Sequence, residues 1–280
     1  DGSRMSITGN SIDQLRIATS FGRADPQTCR DIFVASNLID ASRPNPTTGI
    51  KWHSRRGVIT DNILVAGTLR ISLGADDNAS FVPRIDEGLG TVLIERNVMR
   101  TPSRNPDNDG GTACGVESFA NSHVVVRNNR MYDLSQAFCD PGGKATIFPA
   151  SDMSFYNNSI YKLKGHINHD AGDFVLFSGD TKGIHFANNI MYVNNESRSE
   201  PVIKLRSGPL ASLKDVRFEN NIYYSVRPKG SAFASYDAAS AGAFNFHSFE
   251  DWQAQGYDAK SRIVDPSFKS VDPNTGDFLE

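Results

Sequence analysis

Lys204 and Arg206 stand on either side of Leu205, in a run Pro201-Val202-Ile203-Lys204-Leu205 that reads as a strand. With Leu205 inward, both cations point outward. Lys51, His53, Arg55 and Arg56 surround Trp52, and Lys144 opens another strand-like run, Ala145-Thr146-Ile147-Phe148. Carboxylates occur in neighbouring segments: Glu117 in Cys114-Gly115-Val116-Glu117-Ser118, and Asp170 and Asp173 beside His166 and His169. A Lys or His is the kind of base that removes a proton next to a carboxylate. An Arg, or a cation held by acidic side chains, neutralises that carboxylate while charge develops. The set predicts an electropositive stripe suited to an anionic polymer. Lys204 or Lys144 is the expected base, with His53 as an alternative, and Arg206 the neutraliser. Arg55, Arg56, His169 and Tyr156 would bind the polymer. Glu117, Asp170 and Asp173 would hold a cation, with Ca²⁺ suited to such oxygen ligands.

Each of these residues has a plainer reading. Lys and Arg on an outward face are commonly solvated charges. The stretch from His166 to Asp173 contains Gly172 and reads equally as a polar loop. His53 beside Trp52 reads as a packed surface histidine, and His185 and His247 each sit alone on a strand-like stretch, with no role assigned. Asp76-Asp77-Asn78 and Asp107-Asn108-Asp109-Gly110 have the composition of calcium loops but lack the closing Glu of an EF-hand, so they read as turns.

The elements that must position these side chains come from a repeat. Seven segments carry apolar, any, apolar, two or three polar residues, Asn, any, apolar. Their asparagines are Asn37, Asn62, Asn97, Asn129, Asn158, Asn189 and Asn221. Spacings of roughly 20 to 50 residues signal a solenoid, propeller or array. The residue three before each Asn is Val34, Ile59, Ile94, Val126, Phe155, Phe186 or Phe218. The residue two after is Ile39, Leu64, Met99, Met131, Ile160, Met191 or Tyr223. Both columns are apolar throughout and should face inward. The column between varies (Phe33, Val58, Leu93, Val125, Ser154, His185, Arg217) and should face largely outward.

Such units bury their apolar faces only by stacking. The expected fold is an all-β, right-handed, single-stranded parallel β-helix of about seven or more rungs with two or three short strands each. A propeller needs more strands and tight hairpin turns per repeat. The asparagines suit a tight bend, because Asn tolerates left-handed backbone and can bond local backbone, and stacked amides can bond along the axis. Tyr132, Tyr161, Tyr192 and Tyr224 form a column that reads as an aromatic stack or, alternatively, a sugar platform. Ser248-Phe249-Glu250-Asp251 resembles a capping box opening a short C-terminal helix over the last rung.

One domain is expected over 1–280: an irregular early rung to residue 30, regular rungs over 31–226, and a C-terminal rung and cap over 227–280. Polar excursions at Asp76 to Gly90, Thr101 to Gly111 and Gln136 to Lys144 should be loops walling a binding face. A net charge of −3 gives no sign of a nucleic-acid partner. No apolar run approaches about 18 residues, so no membrane span is expected. The sequence opens at Asp1 without Met or signal peptide, which reads as a processed or trimmed end. Of three cysteines, Cys114 and Cys139 lie nearly one rung apart and are either bridged or buried free thiols; without a CxxC pair, metal ligation is the weakest option.

The Asn-Asn-x-[Ile/Met]-Tyr units resemble the right-handed parallel β-helix superfamily of pectate lyases, alginate and chondroitin lyases and related glycosidases and epimerases. The tail Trp252-x-x-x-Gly256-x-Asp258-x-x-Ser261-x-x-x-Asp265-Pro266-x-Phe268, with Gly276-Asp277-Phe278, is similar to the closing segment of bacterial carbohydrate-active β-helix proteins. The likeness covers roughly residues 30 to 280 and implies that more sequence follows Glu280. It further implies secretion, or a periplasmic or cell-surface location, and a site in a loop-walled groove on the outer face of one sheet. The Lys-Ser and Arg strand signature of alginate and chondroitin B lyases, and the Asp-Pro-His-Asp signature of epimerases, are not found. The expected activity is cleavage of a uronate-containing polysaccharide by β-elimination. The alternatives are a hydrolase using two carboxylates, Asp170 with Asp173 or Glu117, or a glycan-binding or adhesive rod using Tyr156, Tyr161 or Tyr192.

Overall fold

Short strands of alternating inward and outward residues repeat along the chain, and each pairs in parallel with its counterpart in the next repeat. The computed structural model describes residues 4–13, 15–17, 31–40, 48–52, 56–65, 69–73, 91–100, 114–118, 123–132, 134, 136–139, 151–162, 175–177, 182–193, 202–205, 215–225, 233–236 and 244–268. Their strands form three sheets of eight, nine and nine members, giving a parallel β-solenoid. The first sheet holds the strands before the asparagines, from Ser6–Thr8 to Val216–Glu219. The second holds those after them, from Ser11–Ile12 through Ile222–Ser225 to Arg262–Ile263. The third holds the strands that lead into the next repeat, from Leu15–Ile17 to Phe233–Tyr236. Phe244–His247 adds to the third sheet antiparallel to Phe233–Tyr236.

Both apolar columns face the interior. Val34, Ile59, Ile94, Val126, Phe155, Phe186 and Phe218 are buried, as are Ile39, Leu64, Met99, Met131, Ile160, Met191 and Tyr223. Phe155, Phe186 and Phe218 stack with ring centroids 4.5 and 5.3 Å apart. Each buried side chain of this kind contributes roughly 1.5–3 kcal/mol by leaving water.

The asparagines are themselves buried and bond to one another. The Asn97 backbone N–H and Nδ2 donate to Asn129 Oδ1 at 2.9 and 3.1 Å, and Nδ2 also donates to the Ile59 and Glu95 carbonyls. Its own Oδ1 accepts from Asn62 in the same way. The left-handed backbone belongs to the residue before each ladder Asn, with φ between 53° and 56° at Ser36, Asp61, Arg96, Asn128, Asn157, Asn188 and Asn220. The ladder asparagines therefore do not supply the left-handed residue expected of them. The doublets Asn128-Asn129, Asn157-Asn158, Asn188-Asn189 and Asn220-Asn221 divide the work, the first residue turning the chain and the second bonding the stack.

The ladder starts earlier and ends later than the seven asparagines. Asn10 donates to Asn37 Oδ1, and Ile7 and Ile12 flank it where the pattern places apolar residues. Residues 6–17 thus give one strand to each sheet. At the other end Ser261 Oγ accepts from the Asn221 N–H at 2.7 Å, where the next Asn would stand. Beside it Tyr223 donates to the buried Asp258 carboxylate at 2.6 Å. The helix Phe249–Ala254 opens with the expected capping box between Ser248 and Asp251. It lays Trp252 on Phe233 and Phe218, with centroids 4.6 and 5.0 Å away.

Two further expectations change. Gln136–Cys139 is a strand of the third sheet, not part of a loop. The excursions 76–90 and 101–111, and the run 144–148, lie outside the described residues. Cys114 is disulfide-bonded, so it is not a free thiol. Its register partner is Gln136, while Cys139 stands opposite Glu117. That offset of three residues, about 10 Å along the strands, exceeds the roughly 7 Å Cα separation a disulfide can span. Among the described residues no helix is long and apolar enough to cross a membrane.

Candidate functional site

The variable column on the outer face of the first sheet changes character along the stack. Register sets Phe33, Val58, Leu93, Val125, Ser154, His185 and Arg217 side by side. The first four are apolar and the last three polar, with about 4.8 Å between successive strands. Two positions further along each strand, a second outward column runs Arg127, Tyr156, Ala187, Glu219.

These columns meet around His185. Ala187, on the same strand, is too small to fill the space between Tyr156 and Glu219. Both neighbours lean over it toward the imidazole. Tyr156 Oη lies 3.3 Å from His185 Nδ1, with the rings edge to face. Glu219 Oε1 lies 3.9 Å from Nε2, an ion-pair distance if the ring is protonated. Nε2 itself is shielded from solvent and makes no hydrogen bond. The result is a Tyr-His-Glu line on a half-buried surface. Proton transfer from the phenol to Nδ1 leaves a tyrosinate beside an imidazolium that Glu219 stabilises.

Two arginines border this line. Arg127 is register partner to Tyr156 but already bridges Glu95 at 2.7 Å. Arg217, register partner to His185, is exposed and has no ion pair among the described residues. On the other side a shallow groove is lined by Thr91, His123, Val125, Asp152, Ser154 and Gly183. His123, Asp152 and Gly183 share a second left-handed corner, with φ of 60°, 50° and 66°. A Cβ on Gly183 would come within 2.6 Å of Asp152 Oδ1, so glycine is what leaves the groove open there.

The residues expected from the sequence fall differently. Lys204 lies on the third sheet in a register column Lys51, Ser72, Glu117, Cys139, Leu176, Lys204, Ala234. Glu117 and Lys204 are thus three strands apart, about 14 Å. Glu117 is half-buried and accepts a hydrogen bond from Ser72 at 3.0 Å. Arg56 is tied to Asp31 through Nε and Nη2, which raises its pKa further above the usual range. His53, Arg55, Lys144, His169, Asp170, Asp173 and Arg206 lie outside the described residues, as do His166 and the side chain of Lys204. Among the described residues no three His, Cys, Asp or Glu side chains are grouped to hold a metal. Among the described residues, Tyr156 is the one expected substrate contact that reaches the His185 line. His185 and Arg217 received no role from the sequence, although the switch from apolar to polar in their column marks them.

The tyrosine column on the second sheet is a stack. Tyr161, Tyr192 and Tyr224 lie 4.8 and 4.9 Å apart, and Phe268 from the tail packs against Tyr161 and Tyr192. Burial and the neighbouring Tyr224 and Asp265 raise the pKa of Tyr192.

Comparison with protein families, with curated proteins and with solved structures finds no match. The fold and the site define a parallel β-solenoid carrying a Tyr-His-Glu line on an outer sheet face.

Proposed function

We propose that this protein cleaves an acidic, uronate-containing polysaccharide by β-elimination, with Tyr156 and His185 moving the proton. The observation that carries the reading is the 3.3 Å approach of Tyr156 Oη to His185 Nδ1 beside an open groove. In this reading the phenol gives its proton to His185, and Glu219 steadies the imidazolium. The tyrosinate then takes the proton from the carbon next to the uronate carboxylate. Arg217 faces the carboxylate and offsets its growing negative charge. The neighbouring C–O bond breaks as the C=C bond forms. The leaving oxygen receives the proton from Tyr156, and His185 returns the phenol proton, so the substrate's own proton ends on the leaving group.

The fold belongs to the same reading. We take the coil as right-handed, since parallel crossover connections in a sheet are right-handed in nearly all cases, with seven or more rungs, like the pectate-lyase-like superfamily. A disulfide at Cys114 agrees with an oxidising, exported location. The alternative base and neutraliser are Lys204, whose backbone lies on the third sheet, with Arg206; in that alternative Glu117, Asp170 and Asp173 would hold a Ca²⁺.

The test is incubation with a panel of uronic-acid polymers, following the ultraviolet absorbance of an unsaturated uronate product. Absorbance that grows with reducing ends supports elimination. Reducing ends without absorbance would mean hydrolysis, and retention on a glycan array with neither would mean a binding rod.

A further inference from the structure

We infer that the groove beside His185 takes an uncharged sugar, so that the substrate is a heteropolymer in which uronate residues alternate with neutral ones. This rests on the elimination reading above. The groove and the proton-moving line are contiguous, because Ser154, on the groove, is the register partner of His185. The uronate that loses its proton must place its carboxylate near Arg217, on the far side of His185. The sugar on the other side of the broken bond then lies over Ser154 and Val125, about one to two strand spacings, 5–10 Å, away.

The chemistry there is wrong for a second carboxylate. Asp152 is exposed at the groove and makes no ion pair among the described residues, and His123 is the basic side chain that lines the groove with it. With no Lys or Arg in that lining, the Asp152 charge would oppose that of a uronate ring. Thr91 and Ser154 can donate to or accept from sugar hydroxyls, and the Asp152 carboxylate accepts two. Val125 gives an apolar floor for the C–H face of a ring. The apolar column continues away from His185 through Leu93 and Val58 to the exposed Phe33. Arg217, flanked along the chain by Asp215 and Glu219, is the cation on one side, and hydrogen-bonding or apolar character lies on the other.

The experiment compares kcat/KM on polygalacturonate and alginate, whose residues are all uronates, with that on hyaluronan and unsulfated chondroitin, which alternate. The wild type should favour the alternating polymers. Asp152→Asn keeps a residue that accepts the left-handed backbone, and should lower the alternating-to-homopolymer ratio by about tenfold. Glu250→Gln, which removes an exposed carboxylate on the capping helix outside the groove lining, should leave that ratio within about twofold. Circular dichroism of both variants checks the fold. Preference for the homopolymers, or a ratio unmoved by Asp152→Asn, overturns this inference while leaving elimination standing. No unsaturated product from any of the four overturns the elimination reading, and this inference with it.

Discussion

The backbone N–H of Asn221 donates to Ser261 Oγ at 2.7 Å, so a serine from the tail fills the place of the next ladder asparagine. The residue after it extends the second sheet, with the Arg262 N–H donating to the Asn221 carbonyl at 2.9 Å. Removing the hydroxyl leaves a buried donor unpaired. Ser261→Ala should therefore destabilise the protein by about 1–3 kcal/mol. Urea unfolding of the variant against wild type measures it, and an unchanged midpoint would show that the tail does not close the ladder.

Within the doublets the two asparagines should respond in opposite ways to glycine. Asn128 has φ of 55° and is exposed, while Asn129 is buried between Asn97 and Asn158. Asn128→Gly should shift stability by no more than about 0.5 kcal/mol, since glycine takes the left-handed region freely. Asn129→Gly loses bonds to Ile94, Arg127 and Asn158. It should cost about 3 kcal/mol or more. Equal losses at both positions would contradict the division of labour.

The buried Asp258 predicts a pH dependence. Burial is the main cause lifting its pKa above the ordinary 3.8, against neighbouring polar groups, Tyr223 among them, which lower it. A raised folded pKa means the native state holds the proton more tightly. The resulting stability is complete below the unfolded value and is lost as pH rises through the folded one. Asp258→Asn cannot ionise, so its stability relative to wild type should improve as pH rises from about 4 toward neutrality. Thermal unfolding of both proteins across that range decides the matter, and parallel curves would show that Asp258 does not titrate in the native protein within it.

Ala187 makes the room in which Tyr156 and Glu219 reach His185. Ala187→Leu leaves the inward columns untouched, but the position is itself covered by its neighbours, so the larger side chain displaces Tyr156 and Glu219. Stability should fall by about 1–3 kcal/mol, with the fold retained. Turnover of a uronate polymer should fall by about tenfold or more through displaced geometry, with the loss chiefly in kcat. Wild-type kcat in the folded variant would remove the role assigned to this contact.

The fold was legible because its two inward columns are apolar at every repeat, Val34 to Phe218 and Ile39 to Tyr223, and because Asn recurs between them. Asn10 was missed because Ser6-Ile7-Thr8 offers one strong apolar residue where the other segments offer two or three. Ser261 was missed because a hydroxyl there replaces the amide. The site was less legible for a related reason. Proton transfer between Tyr156 and His185 depends on neighbouring strands in register, and the chain separates the two residues by a whole repeat. Lys204 and Glu117 looked close for the opposite reason. Both belong to strands of the third sheet, but only the register shows that two strands stand between them.

Proton transfer is assigned to the first sheet, at Tyr156 and His185. Its most direct test is turnover of uronate polymers by Tyr156→Phe and by Lys204→Ala, read as unsaturated product beside the wild type. Tyr156→Phe keeps the ring and removes only the hydroxyl, so it should fold normally and lose about 10²-fold or more in kcat. Lys204→Ala should stay within about twofold of wild type, as expected for a residue outside the proton-moving pair. Full activity in Tyr156→Phe, with loss of activity in Lys204→Ala, would contradict the account and move the chemistry to the third sheet.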